Sequence, residues 1–272
     1  MRLDLTDVAT ICRRLQAQLA EQADIEIAAL KKLDNQTDQQ FAEVKERART
    51  EAFKVTTSLI GRDGQTLFGA DDAVFSAPNR PDKIASIFMT NITAYQSFAH
   101  QRPLHSFELT LDFSKPRLID FTVPVSAPTA NSSQLFVDGS RDAWVAAITN
   151  AVTQTTEARK TNRRWLHRGQ LYDAGLLLFG VPFTLYVCWR LSGWIEHHLG
   201  SINPFLSAAA YVYLFFFLLN GYRALFGYTK WTFPLVELAD NNDTSISHRA
   251  VWGAIVLALL VNVVWEVLKL FW

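Results

Sequence analysis

The sequence predicts an α+β protein carried on transmembrane α-helices: an N-terminal long helix or helix pair, a small antiparallel β-barrel or sandwich with a C-terminal helix, and three membrane-spanning helices. Three observations lead there. Residues 4–52 contain neither Gly nor Pro, residues 53–139 alternate apolar with polar side chains between turn-forming pairs, and residues 171–272 hold three long apolar stretches. Each stretch is close to the ~20 residues a helix needs to cross the hydrocarbon layer.

The N-terminal segment is rich in Ala, Leu, Gln, Glu, Lys and Arg, which are good helix formers. Leu5, Val8, Cys12, Leu15 and Leu19 keep the spacing of a coiled-coil seam. The register fails at Gln22 and Glu26 and resumes, shifted, at Ile27, Leu30, Thr37, Phe41, Val44 and Ala48. Such a slip suits a stutter or a bend between two helices. Residues 1–52 are expected either to form an arm for homo-oligomerisation or a protein partner, or to pack their apolar stripe on their own domain.

From Phe53 the period changes. FKVTTSLI and QTLFG flank Gly61-Arg62-Asp63-Gly64, whose Asp-Gly pair suits a two-residue hairpin turn. After the loop SAPNRPD come KIASIFMTNI, LHSFELTLDF, PRLIDFTVPV and SQLFVDG. Phe107, Leu109, Leu111 and Phe113 alternate as one face of a half-buried antiparallel strand. The segment SRDAWVAAITNAVTQTTEARK then reads as a helix with Ser140 as N-cap, Asp142 at the positive end of its dipole, and a stripe of Trp144, Ile148, Ala151 and Thr155.

Six or seven short strands followed by a helix with an early Trp, Trp144 in DAWVAAI, resemble the pleckstrin-homology superfold over residues 53–158. The resemblance implies two roughly orthogonal sheets curled into a barrel, plugged by the last helix, and a lipid headgroup or peptide as ligand. Phosphoinositide-binding members of that family gather Lys and Arg around the first hairpin. Here only Lys54 and Arg62 stand there, which favours a protein contact.

The apolar stretches run from Leu171 to Leu191, Pro204 to Phe226 and Ala250 to Trp272. Six of the eight Trp lie beyond residue 171, several at the ends of these stretches, where indole rings prefer the boundary between lipid and water. Pro182 is expected to kink the first stretch. Residues 159–170 form a basic juxtamembrane linker with Arg159, Lys160, Arg163, Arg164 and Arg168, and cationic flanks are retained on the cytoplasmic side. Leu191 to Asn203 has no Lys or Arg, whereas Gly227 to Arg249 carries Lys230 and Arg249. The expected arrangement is a multi-pass protein of the plasma (inner) membrane with its N-terminus cytoplasmic and its C-terminus external. The linker would also be drawn to anionic lipid of the inner leaflet. Asp173, Asn220, Asn262 and Glu266 are the intramembrane polar groups, expected to pair between helices; Asn262, Glu266 and Lys269 share one helix face by spacing.

Other classes are disfavoured. The formal net charge is zero, so no field recruits nucleic acid. Cys12 and Cys188 are too few for a disulfide framework or a thiolate zinc site, and MRLDLTDVAT lacks the apolar core of a secretory signal. No phosphate loop, dinucleotide fingerprint, zinc-protease or nucleophile-elbow motif occurs. His100, His105, Asp112 and Asp120 are ascribed surface or hydrogen-bonding roles, and adjacent His197 and His198 point too far apart on a helix to clamp one metal. No catalytic residues, cofactor or metal are expected. The sequence therefore points to a non-enzymatic interaction, sensing or scaffold protein at the membrane; the alternative is an oligomeric effector that permeabilises or conducts through its helices.

Overall fold

The computed structural model describes residues 1–117, 126–241 and 245–269, apart from the side chains of 245, 246, 256, 259, 260, 262–264 and 266–268. The chain is α+β and 60% helical. It divides into two compact units, both discontinuous in sequence.

The first unit comprises Met1–Ser114, Asn131–Thr161 and Val236–Asp243. Helix α1, Leu5–Ala28, starts in a capping box: the Asp4 carboxylate accepts from the Asp7 amide and Asp7 returns the bond. Its buried stripe is Leu5, Val8, Ile11, Cys12, Leu15, Leu19, Gln22, Ala23 and Ile27. The stripe thus runs straight through Gln22, where the apolar pattern breaks. A second capping box, Thr37 with Gln40, starts α2, Asp38–Arg47, which buries none of its residues. The N-terminal segment is a helix pair, and α1 presents its apolar face to its own unit, the second of the two expected outcomes.

The sheet has the order β3-β2-β4-β5-β6 with antiparallel neighbours throughout. Its strands are β2 (Thr56–Gly61), β3 (Thr66–Ala70), β4 (Ile84–Thr90), β5 (Ser106–Asp112) and β6 (Gln134–Asp138). Pairing puts Leu59, Ile87 and Leu111 in one row and Thr57, Met89 and Leu109 in the next, all buried. Helix α3, Ile92–Ala99, connects β4 to β5 and ends at His100 in the left-handed region. Helix α4, Asp142–Ala158, buries Trp144, Ile148, Ala151, Val152 and Thr155, the expected stripe with Val152 added. It lies beside α1 on the buried face: Trp144 meets the Phe107 ring, and the Cys12 thiol contacts the Thr57 hydroxyl at 4.0 Å. The opposite face leaves Phe68 and Phe136 exposed.

Among the described residues this is one open sheet with helices on one face, which differs from the curled two-sheet barrel that the pleckstrin-like reading implies. Most of the segment PRLIDFTVPV lies outside the described residues. Two local expectations also change. The first hairpin closes with a three-residue loop: Gly64 N–H donates to Gly61 O, and Gly64 alone takes positive φ, 86°, a type I turn with a left-handed glycine instead of a two-residue turn. Ser140 does not cap α4; Arg141 holds the N-cap position without a side-chain bond.

The remaining piece of this unit comes from far along the chain. Arg2–Leu3, β1, pairs in parallel with Glu237–Leu238, β7. Glu237 N–H donates to Met1 O and Ala239 N–H to Leu3 O. Buried Asn241 accepts from Ile84 N–H at 2.9 Å and donates to Ile84 O at 2.8 Å, acting as a substitute strand partner at the start of β4.

The second unit comprises Lys115–Ala130, Asn162–Leu235 and Thr244–Trp272. Its helices are α5 (Gly169–Gly200), α6 (Pro204–Thr232) and α7 (Ser245–Lys269). Helix α5 widens into a π-turn at Leu176–Gly180 just before Pro182. Proline lacks an N–H and crowds the carbonyl four residues back, and the wider turn relieves both defects. Asn203 caps α6 by accepting from Phe205 N–H. Tyr222 of α6 packs against Gly175 and Gly180 of α5: a Cβ at 175 would collide with its hydroxyl, and one at 180 would touch its ring. Helices α5 and α6 are long and apolar enough to cross a membrane. The third apolar stretch is helical as α7.

Replacing Asn241 with Ala orphans the amide and carbonyl of Ile84 in a buried site. The expected loss is about 2–4 kcal/mol of stability in the first unit, read as an earlier denaturant midpoint for intact protein, with Asn241→Asp falling between the two.

Candidate functional site

Two constellations stand out, one in each unit. In the first unit, buried His105 of β5 sits where α1 and the β6–α4 turn converge. Its Nδ1 lies 2.9 Å from the Glu26 carboxylate and 3.0 Å from the Gln22 amide nitrogen. Arg141 donates to Gln22 Oε1 at 3.0 Å, which fixes the amide's orientation, so Gln22 Nε2 donates to Glu26. With Nδ1 protonated, His105 donates to the Glu26 carboxylate. Its ring stands edge-on to Trp144. Gly139 is required here, because a Cβ would come within 2.7 Å of both rings.

Glu26, His105 and Ser140 follow the order of a proton relay. The Ser140 hydroxyl is 3.5 Å from Nε2, outside good O–H···N range. What the network achieves is to fasten α1 to the sheet through satisfied polar groups at the place where its apolar stripe stops. The register break at Gln22 and Glu26 is the sequence trace of this network.

The other groups singled out from sequence do not converge. Asp112 ties the β5–β6 connection by accepting from the Ser114 and Ser132 amides; burial works to raise its carboxyl pKa, and those bonds outweigh it and hold it below the ordinary value. His100 is exposed at its helix end, and Asp120 lies outside the described residues. Burial pushes the Cys12 thiol up to about 11, leaving it inert. His198 stacks on Trp194 and bonds its backbone oxygen. Among the described residues no group of three or more metal-ligating side chains forms.

The second constellation surrounds the start of α5 and the end of α6. Buried His167 has two partners: Nε2 donates to Phe233 O at 2.8 Å, so Nδ1 accepts from the Thr129 hydroxyl at 2.9 Å. It thereby joins three separate stretches of the second unit. Burial holds its pKa below the ordinary histidine value, with the positive charges of Lys230 and Arg163 acting the same way and the Phe233 carbonyl opposing. Lys230 donates to Ala127 O at 3.2 Å and lies over the Phe226 ring. Arg163 and Arg249 both lie over Phe233, Lys115 lies over Trp231, and Arg249 also donates to Thr232 O. Tyr228 bonds His248 at 2.6 Å beside Trp231 and Trp252. The result is a collar of cations on aromatic faces, the composition favoured where lipid meets water.

The five predicted linker cations are divided by the fold. Arg159 forms an ion pair with Asp7 and Lys160 with Glu157, all within the first unit. Arg163 joins the collar, and Arg164 is exposed. Arg168 lines an open groove of about 700 Å³ with Ser126, Ala127, Pro128, Gly169, Gln170 and Asp173. Gly169 permits this groove, since a Cβ there would overlap Ser126 O.

Of the intramembrane polar set, exposed Asn220 bonds the Phe216 carbonyl of its own helix, so it does not join helices as expected. Asp173 is at the groove. Asn262 and Glu266 fall on α7 with their side chains outside the described residues. The sequence marks Lys230 only as a loop cation and does not single out His167, Thr129 or Phe233; the aromatic-basic run GYTKWTF is the available signal. No protein-family model, curated protein or solved structure matches the chain.

The low His167 pKa fixes a sign. Below about pH 6.5 the unfolded chain binds a proton that the folded ring refuses, so stability present above that pH falls as pH is lowered toward the depressed value. The slope approaches about 1.4 kcal/mol per pH unit for one such group. Thermal unfolding of detergent-solubilised protein at about pH 7.5, 6.5 and 5.5 should show this decline, and His167→Gln should flatten it.

Proposed function

We propose that this is a multi-pass protein of the plasma (inner) membrane whose cytoplasmic first unit binds a protein partner or senses a cytoplasmic signal. One observation carries the membrane assignment. On α5 and α6, Leu177, Phe179, Trp189, Phe205, Tyr213 and Phe217 are between 67% and 77% exposed. Burying a side chain of this size is worth about 1.5–3 kcal/mol, so water is a poor solvent for that surface and hydrocarbon a good one.

Connectivity supports the topology. The chain leaves the first unit after Thr161 and re-enters it at Val236, with α5 and α6 between. A pair of crossings returns the chain to its starting side, which a single crossing cannot do. The collar cations Arg163, Lys230 and Arg249 all belong to that side, and the turn between α5 and α6 has no Lys or Arg. By the positive-inside rule that side is cytoplasmic. Helix α7 then makes a third crossing, leaving the C-terminus external.

The interaction role follows from what the first unit presents. Among the described residues its sheet has one face free of helices, with Phe68 and Phe136 on opposite edge strands, while the α1 stripe is occupied. Fixed groups suited to holding a protein in place are more evident here than a reactive set.

Alkaline carbonate extraction and protease accessibility test the assignment. The protein should stay with the membrane pellet, and the first unit should be cut in inside-out vesicles but not in intact cells. Release by carbonate, or loss of the first unit to protease added outside intact cells, would refute it.

A further inference from the structure

The groove beside the start of α5 contains an unusual pair of charges. Arg168 and Asp173 both line it, and neither side chain has a hydrogen-bond or ion-pair partner among the described residues, each other included. Asp173 is exposed one turn into the first apolar helix. In lipid a bare carboxylate there is costly, and it requires a cation. The opposite wall, Ser126 to Pro128, is held in place from behind, because Lys230 bonds Ala127 O and His167 bonds Thr129. Only glycine at 169 lets that wall approach so closely.

We propose that this groove binds the headgroup of a zwitterionic phospholipid with a primary ammonium, of the phosphoethanolamine class. This rests on the membrane reading above. The Arg168 guanidinium meets the phosphate, for which its planar fork of donors is suited. The Asp173 carboxylate meets the ammonium, whose N–H groups can donate to it, as a quaternary ammonium cannot. A purely anionic headgroup would satisfy Arg168 and leave Asp173 both unpaired and repelled.

Native mass spectrometry of the intact protein in mild detergent tests the proposal, using short-chain phosphatidylethanolamine, phosphatidylcholine and phosphatidylglycerol, each also in the presence of free phosphoethanolamine. Wild-type protein should retain phosphatidylethanolamine about tenfold better than either other lipid, the scale of one charged hydrogen bond. Asp173→Asn should abolish that discrimination while retaining some phospholipid, and Arg168→Gln should lower retention of all three by about tenfold. Equal retention of the three lipids by wild-type protein, or discrimination surviving in Asp173→Asn, overturns the proposal. Displacement by an equal concentration of free phosphoethanolamine overturns the lipid as the source and assigns the site to a soluble amine phosphate. Carbonate-resistant protein without headgroup preference defeats this inference alone, whereas carbonate release defeats the membrane reading itself.

Discussion

The double hydrogen bond between Asn241 and the backbone of Ile84 spans 157 positions of sequence, and the architecture depends on it. Together with the β1–β7 ladder it makes residues 236–241 part of the same unit as the sheet. The apolar hairpin of α5 and α6 is therefore tethered at both ends, at Thr161 and at Val236, instead of trailing from a finished domain. A tether at one end would leave the direction of the second helix open. On the membrane reading proposed above, two tethers require an even number of crossings between them, and lipid accepts only helices whose backbone groups are paired locally. The proposed topology thus rests on hydrogen bonds in the first unit as much as on charge.

The charges themselves are less uniform than the linker sequence suggests. Read as a string, Arg159 to Arg168 is one basic cluster. In the fold its first two members are neutralised by Asp7 and Glu157, which removes them from any field that lipid would feel. Arg163 of the linker is joined by cations from other stretches: Lys115, Lys230 at the end of α6 and Arg249 at the start of α7. Each rests on an aromatic ring. The proposed orientation therefore rests on a surface assembled from separate stretches, and a count over one linker overstates the role of two residues.

The parts of the fold legible in the sequence were those with a local period. The α4 stripe, the alternation in β5 and the apolar lengths of α5 and α6 all follow from nearest-neighbour geometry. Pairings whose energy comes from distant residues were not legible. A two-residue strand such as Arg2–Leu3 has no periodicity, and Asn241 in a polar loop looks like any turn former. The register break at Gln22 and Glu26 is visible but suits a stutter or a bend equally, because its cause, His105, lies on another element. At the candidate groove, Arg168 and Asp173 were both noted, for separate reasons. Only the return of Ser126 to Pro128 against Gly169 puts them in one site.

This organisation constrains the order of assembly. The edge pairing of β1 and the filling of the position beside β4 wait for residues 237–241, which follow α6 in the chain. Contacts that distant close late, since the loop entropy must be met before the pairing contributes. By the time Asn241 reaches Ile84, two helices with large exposed apolar side chains already exist. On the proposed membrane reading, insertion of the hairpin comes first and leaves residues 236–241 free to pair with the first unit. The polar network of Glu26, His105 and Gln22, made of α1 and β5, needs none of this and can form early. The first unit is accordingly a core that begins with its N-terminal part and is completed only by residues 236–241, which follow α6 in the chain.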